Sequence, residues 1–262
     1  MARIEVVPLL EIVRETRDTV TYRFRADIGG LPGQFLMVWI PRYDELPMAL
    51  SYLGPVKGIT VRDYGDATHV FAEFRPGDRI GVRGPYGNAF RLAGERVLVV
   101  AGGSGMASVI AAIEAFAQQG AHVTTAIGAR TAEDLLFVDR ANASGEAHVA
   151  TDDGSRGFHG FAPALAETLM DRKKFDQVLT CGPERMMKAV VDAAAKRNLP
   201  VQASVERYMK CGIGICDACA FDGQLVCLDG SIFTGEQLAG IEDFGHFTQG
   251  QERAPHPCVN RR

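Results

Sequence analysis

The sequence predicts an antiparallel β-barrel followed by an α/β domain with a parallel sheet, and then a short C-terminal lobe built around cysteines. Three observations predict it. Up to about residue 95, short strands alternate with turns. From Arg96, continuous apolar strands alternate with helices. From Glu206 the periodicity is lost, and four of the six cysteines fall between positions 211 and 227. At roughly 150 residues per domain, 262 residues suit two domains. The expected boundaries are 1–95, 96–205 and 206–262, the last including the tail.

In the first domain, Val20, Tyr22, Phe24 and Ala26 alternate with Thr21, Arg23 and Arg25, the period-2 pattern of a half-buried strand. Pro32-Gly33 makes a turn, and Phe35 to Ile40 is a short buried strand. Val61, Val70-Phe71 and Ile80-Gly81-Val82 suggest further strands, with Pro76-Gly77-Asp78 as turn chemistry. Short strands at this spacing form a barrel or sandwich.

In the second domain, Val97 to Ala101 is continuously apolar, as in a sheet covered on both faces. An Ala-rich helix follows from about Ala107 to Gln119. Strands are expected near His122 to Ile127, Ala147 to Thr151 and Gln177 to Thr180, with helices near Ala162 to Leu169 and from Pro183. Met187, Val190, Val191 and Ala194 fall at i, i+3, i+4 and i+7, one apolar stripe. Strands alternating with helices imply βαβ units and a parallel sheet.

Composition bounds the function. Net charge is 28 − 32 = −4, so there is no basic footprint for nucleic acid or an anionic membrane. The N-terminus lacks a signal-peptide pattern, and no apolar run approaches the roughly 20 residues that span a bilayer. A cytoplasmic location is therefore expected, where thiols stay reduced and clustered cysteines point to metal or redox chemistry.

Cys211, Cys216, Cys219 and Cys227 form a C-x4-C-x2-C-x7-C run. The first three match plant-type [2Fe–2S] spacing, and four thiolates are what such a cluster takes. Gly212 and Gly214 suit a loop that turns backbone N–H groups toward sulfur. Structural zinc sites usually separate two C-x2-4-C pairs by a longer gap, which this run does not. Cys258 reads as a surface thiol in a polar tail.

Gly102-Gly103-Ser104-Gly105 joins a buried strand to a helix, where small residues let backbone amides reach a phosphate. It is not G-x-G-x-x-G, and a tight turn without a ligand is the plain alternative. Thr180-Cys181-Gly182-Pro183 also joins a strand end to a helix start. Two such loops at the carboxyl ends of parallel strands would share one crevice. Asp152 and Asp153 end a third strand on the same rim, where they suit ribose hydroxyls as acceptors; a solvated turn is the plain alternative.

In order, Pro32-Gly33-Gln34-Phe35, Pro76-Gly77-Asp78, Arg83-Gly84-Pro85-Tyr86-Gly87, Gly102 to Gly105, Thr151-Asp-Asp-Gly and Cys181-Gly-Pro-Glu184 resemble the ferredoxin–NADP reductase superfamily. Glu206-Arg207-Tyr208-Met209-Lys210-Cys211 with Cys227-Leu-Asp-Gly230 is similar, more narrowly, to electron-transfer subunits of NAD-linked dihydroorotate dehydrogenases. All but about the last twenty residues share in this. The resemblance implies FAD on the barrel, NAD(H) on the α/β domain and a [2Fe–2S] cluster on the C-terminal lobe. It implies flavin contacts at Pro47, Met48, Ala49, Leu50 and Ser51, and at Gly65, Ala67 and Thr68. It implies nicotinamide-nucleotide contacts at Gly102, Gly103, Gly105, Asp152, Cys181, Gly182 and Pro183.

The sequence departs from the family pattern at Leu46, where an arginine is common, and at Ala49, where serine is common. A charged grip on the flavin diphosphate is thus not visible there, and Arg42 or Arg83 is the substitute expected. Arg130, after a strand end, faces the question of a 2′-phosphate, while the aspartates favour NAD. The resemblance implies an FMN-containing catalytic partner that oxidises dihydroorotate, in a heterotetramer. The cofactors carry the chemistry, and no nucleophile triad is expected. Alternatives are the small subunit of a ferredoxin:NADP oxidoreductase, a sulfide dehydrogenase or a sulfhydrogenase, a redox sensor without turnover, or a zinc-stabilised structural protein.

Overall fold

The barrel closes from six antiparallel strands in a computed structural model that describes residues 4–246. They are β1 (Glu5–Arg14), β2 (Thr19–Phe24), β3 (Phe35–Trp39), β4 (Glu45–Tyr52), β5 (Lys57–Arg62) and β6 (Arg79–Tyr86), in the order β1-β2-β5-β4-β3-β6. Closure leaves no open edge. β4 therefore lies between β3 and β5 and is not an edge strand.

In β2, Val20, Tyr22 and Phe24 enter the barrel core as their alternation requires. Thr21 is buried as well, because its hydroxyl donates to Glu15 Oε1 (2.6 Å) and lies 2.9 Å from the Thr60 hydroxyl. Ala26 falls beyond the strand end. One expected strand is a helix: Val70-Phe71 belongs to α1 (Asp66–Ala72). The reason is tertiary. Phe71 plugs the barrel, stacked on Tyr22 with ring centroids 4.0 Å apart, and its carbonyl accepts from the Tyr22 hydroxyl at 2.9 Å.

The second sheet holds β7 (Arg96–Gly102), β8 (His122–Ala129), β9 (Glu146–Thr151), β10 (Phe158–His159), β11 (Gln177–Cys181) and β12 (Val201–Ser204), all parallel, in the order β10-β9-β8-β7-β11-β12. Its faces are covered by α2 (Met106–Gln118) and α3 (Val138–Ser144) on one side, and α4 (Ala162–Arg172) and α5 (Glu184–Ala195) on the other. Successive side chains of β7 serve the two cores in turn. Leu98 and Val100 pack toward α4 and α5, and Val97, Val99 and Ala101 toward α2. That double burial is why the segment is apolar throughout. The expected stripe of α5 is buried at Met187, Val190, Val191 and Ala194.

The cysteine segment carries a small ribbon, β13 (Ala220–Phe221) with β14 (Gln224–Leu225), and a helical turn, α6 (Val226–Asp229). It then returns to the main sheet. β15 (Ile232–Thr234) pairs antiparallel with β12, and α7 (Gly235–Ala239) follows. The segment after residue 205 thus supplies a seventh strand to the nucleotide-domain sheet. Phe221, Val226 and Phe233 join the core under α4 and α5. Cys258 lies outside the described residues. No helix among the described residues is long and apolar enough to cross a membrane.

An aromatic joint ties the barrel to the α/β domain. The guanidinium carbons of Arg23 and Arg140 each lie 3.8 Å from the Tyr52 ring centroid, a distance that two cations can share only on opposite faces. Arg140 also covers Phe137 at 4.5 Å and donates to Glu114 Oε1 and the Ser51 carbonyl, at 2.8 and 2.9 Å.

Candidate functional site

The chain runs β7, β8, β9 in one direction across the sheet and returns on the other side of β7 with β11. A crevice opens where strand order reverses, outside the carboxyl ends of the strands. Here it is a cleft of about 790 Å³, continuous in its lining with a second of about 550 Å³. Gly102, Gly103, Ser104, Arg130, Pro183 and Arg185 line both. The barrel contributes Asp18, Thr19, Arg62 and Tyr64 to the walls. Asp152 lines the larger cavity and Gly182 the smaller.

Two residues expected here serve packing. A Cβ on Gly105 would stand 2.5 Å from the Cys181 carbonyl carbon and oxygen, so glycine lets the start of α2 approach β11. The Cys181 side chain is fully buried and absent from the cleft walls. Burial, and then the charge of Glu206, push its thiol up to about 12, against hydrogen bonds from Ser108 and Ser204. The two aspartates also separate. Asp153 accepts from the Ser155 hydroxyl at 2.6 Å and amide at 3.0 Å, which hold its carboxyl below the usual range. Asp152 is the one facing the cleft.

On the barrel, Pro47, Met48 and Ala49 are half-buried on β4, and Leu50 is in the barrel core. The Ser51 hydroxyl is occupied inside the barrel, donating to the Gly58 carbonyl at 3.2 Å and lying 2.8 Å from the Thr60 hydroxyl. The Thr68 hydroxyl accepts from Tyr64 and Gly65 amides, at 2.8 and 2.9 Å, and donates back to the Gly65 carbonyl. Thr68 therefore shapes the loop. Gly65 has open space where a side chain would stand, so the loop is accessible to a bulky anion beside Ala67.

The expected arginine substitutes lie elsewhere. Arg83 grips Glu45 with two 2.6 Å bonds and donates to the Cys211 carbonyl at 2.9 Å. It clasps the barrel to the cysteine loop and is not available for a diphosphate. Arg42 is exposed in the β3–β4 turn, with φ 68°. The barrel cation that does line the cleft is Arg62, at the end of β5 just before the Gly65 loop, paired with Asp18 at 2.8 Å. Its position directly before that loop is the signal that would have found it.

The four cysteines gather in one loop. Cys211 is in hydrogen-bond contact with Cys216, and Cys227 with Cys219. Ile213 and Ile215 amides donate to Cys211 Sγ at 3.4 Å, Gly214 to Cys227 Sγ at 3.2 Å, and Cys227 to Cys219 Sγ at 3.4 Å. Gly212 and Gly214 have φ of 69° and 76°, the left-handed turns that aim these amides inward. Burial raises Cys211, but the Ile213 and Ile215 amides outweigh it and hold that thiol down at about 6. Burial and the neighbouring Cys219 push Cys227 up to about 12. Among the described residues, no three His, Cys, Asp or Glu side chains converge as a single ion requires. A two-iron cluster asks for only two thiolates at each iron, and the pairs 211/216 and 219/227 fit that donor set. Cys216 is exposed while Cys219 and Cys227 are buried, so the loop opens on one side.

Comparison with known proteins agrees with this arrangement. A family model described as the iron-sulfur cluster binding domain of dihydroorotate dehydrogenase B matches residues 206–239, and an oxidoreductase NAD-binding domain matches residues 99–192. A protein of Methanocaldococcus jannaschii, named "Probable dihydroorotate dehydrogenase B (NAD(+)), electron transfer subunit", is 46% identical over 239 residues, covering 90% of this chain and 92% of its own. A protein of the same name from Thermoplasma acidophilum is 42% identical over 231 residues, 88% of this chain and 89% of its own. Among solved structures, a chain from the NADH-dependent reduced ferredoxin-NADP oxidoreductase superposes with a TM-score of 0.81 at 28% identity, over 90% of this chain and 91% of that one. The ferredoxin reductase of carbazole 1,9a-dioxygenase shares the fold, with a TM-score of 0.68 at 19% identity over 77% of this chain and 69% of that one. The chain belongs to the family of dihydroorotate dehydrogenase B electron transfer subunits.

Proposed function

We propose that this chain passes electrons between NAD(H) and a catalytic partner by way of FAD and a [2Fe–2S] cluster, serving dihydroorotate oxidation in pyrimidine biosynthesis. One observation carries the reading: four thiols with inward amides sit in a loop that Arg83 clasps to the barrel, and the barrel forms a wall of the nucleotide cleft. FAD, when bound, supplies the exchange between two-electron and one-electron chemistry.

Each group has residues suited to hold it. Cys211, Cys216, Cys219 and Cys227 would hold the cluster. Pro47, Met48 and Ala49 would flank the flavin, and the Ala67 amide, beside the open space at Gly65, would meet its diphosphate. The first amides of a helix lack intrahelical partners and favour an anion. Arg62 supplies the positive charge that Leu46 does not. Gly102, Gly103, Gly182 and Pro183 would let the nicotinamide nucleotide approach the backbone, with Asp152 accepting from a ribose hydroxyl. Gly105 and Cys181 support that wall from behind.

Around the open side of the cysteine loop, Ile213, Ile215 and Leu228 are 45%, 77% and 61% exposed. An apolar rim beside the exposed Cys216 suits a protein partner. We assign that partner as an FMN-containing catalytic subunit, two copies of each chain making a heterotetramer in the cytoplasm. The purified chain should show flavin and cluster absorbance, bleach with NADH and reduce a dye, yet not oxidise dihydroorotate alone. Dihydroorotate turnover by the isolated chain would refute the division of labour. The TM-score of 0.81 keeps one other role in view, the small subunit of a ferredoxin:NADP oxidoreductase. Copurification from the native source with a larger flavoprotein, in place of a dihydroorotate-binding subunit, would establish that role instead.

A further inference from the structure

The most buried ion pair among the described residues joins Glu184 to Arg207, with side chains 3% and 5% exposed. Glu184 opens α5 directly after Gly182-Pro183 and lines the smaller cavity with them. Arg207 stands four positions before Cys211. Its Nη1 donates to Glu184 Oε2 and, at 2.8 Å, to the Glu206 carbonyl, and its Nη2 donates to Glu184 Oε1 at 3.3 Å. Glu184 Oε1 also accepts from the Gly245 amide at 2.7 Å. The guanidinium so fixed lies against a ring, its carbon 4.1 Å from the Phe221 centroid. Phe221 is fully buried, two residues after Cys219, in T-shaped contact with Phe233 and Phe244 at 5.6 and 6.4 Å.

Stability alone does not account for such a pair. Well-packed apolar side chains in its place are often neutral or stabilising, because desolvating two charges offsets their attraction. What the pair adds is direction. A planar fork bonded to a carboxylate at two points has one orientation, and it fixes the ring that lies against it. We infer that Arg207 is a positioning residue for the cluster, referred to the cleft wall by Glu184 and acting through Phe221 on Cys219. This rests on the reading of the four thiols as cluster ligands. Cys219 in turn sets its neighbour. Its carbonyl accepts from the Val226 amide at 3.2 Å, and its sulfur from the Cys227 amide at 3.4 Å. The other pair is placed from elsewhere, since Arg83 on the barrel, itself held by Glu45, binds the Cys211 carbonyl. Two arginine–carboxylate clasps thus divide the ligands. One refers Cys211 and Cys216 to the barrel, and the other refers Cys219 and Cys227 to the nucleotide domain.

The test uses the FAD- and cluster-loaded protein. Glu184→Gln combined with Arg207→Met removes both charges, keeps an acceptor for the Gly245 amide and leaves no lone ion buried. Its Tm should therefore stay within about 4 °C of the unaltered protein. The dithionite-reduced cluster should nevertheless give a broadened or split electron paramagnetic resonance spectrum. A chelator should also extract iron about 2- to 30-fold faster, the factor that one cation–π contact contributes to an equilibrium. Phe221→Leu leaves the ion pair in place and removes the ring, so it should move both readouts the same way. Added to the double variant it should change them little further, because both act through one contact. An unaltered spectrum and iron-release rate in the double variant would overturn the inference, and a fall in Tm alone would make the pair purely structural. Phe221→Leu with both readouts unchanged would overturn it equally, and decides the matter if the double variant does not fold. If the unaltered protein assembles no [2Fe–2S] cluster, the reading of the cysteine loop fails first and the inference falls with it.

Discussion

Replacing Arg83 by Leu should loosen the cysteine loop from the barrel. Arg83 lies on β6, yet it holds Glu45 on β4 through two bonds of 2.6 Å, the Tyr86 hydroxyl at 3.0 Å and the Cys211 carbonyl at 2.9 Å. Its side chain is 13% exposed and that of Glu45 is 22% exposed. Exposed ion pairs contribute about 0–1 kcal/mol, and breaking a buried pair costs about 3–5 kcal/mol. This pair lies between those limits, so about 2 kcal/mol is expected. For a chain of this size that corresponds to a fall of about 4–8 °C in Tm. The Cys211 carbonyl loses its donor at the same time, so a chelator should extract iron faster from the variant. The assay is thermal unfolding of the loaded protein alongside the rate of iron release. Arg83→Lys keeps the charge but not the two-pronged geometry, and should recover less than half of the lost stability. In a Glu45→Gln background the same change should cost less, because no carboxylate is left unpaired. A Tm within 2 °C of the unaltered protein, with iron retained equally well, would refute the clasp (the assignment of the four thiols would stand).

Other expectations follow from single contacts. Cys216→Ser should lose the brown colour and at least half of the iron, and full iron content would remove Cys216 from the ligand set. Gly105→Ala forces a methyl against the Cys181 carbonyl, and should destabilise the protein by about 1–3 kcal/mol in urea unfolding. Asp152→Ser should raise kcat/KM for NADPH relative to NADH about tenfold, because a carboxylate repels the 2′-phosphate; an unchanged ratio would exclude Asp152 from the ribose site. Cys181 has its thiol raised from 9.0 to about 12, so the folded state keeps a proton that the unfolded state releases. Its contribution is intact below about pH 9 and is lost as pH rises toward 12. Cys181→Ala should therefore show a shallower fall in urea midpoint across that window.

The legible parts of the fold were those where one physical demand sets residue type. Val97 to Ala101 had to be apolar throughout because both faces of β7 are covered. The spacing of Cys211, Cys216, Cys219 and Cys227 had to suit a loop wrapped around sulfur. What stayed hidden was set by distant partners. Val70-Phe71 has the composition of a strand, but Tyr22 and the open end of the barrel make it a helix. Nothing local to β15 announces that β12 will pair with it. Arg83 was expected at a flavin diphosphate because arginine commonly serves there. Its partner, the Cys211 carbonyl, is 128 residues away in sequence. Likewise Asp152 and Asp153 are chemically alike, and only the turn through Ser155 turns one of them inward on itself.

The stack of Arg23, Tyr52 and Arg140 has a consequence for rate as well as for assembly. Hydride passes only between rings in contact, so a carrier whose barrel and nucleotide domain swung against each other would align them only part of the time. Here the joint is a layered contact of planar groups, with Arg140 also bonded to Glu114 and to the β4 backbone. Added salt screens exposed ion pairs far more than a packed cation–π contact. A joint between barrel and nucleotide sheet built this way should loosen less on adding salt than one built of exposed ion pairs alone.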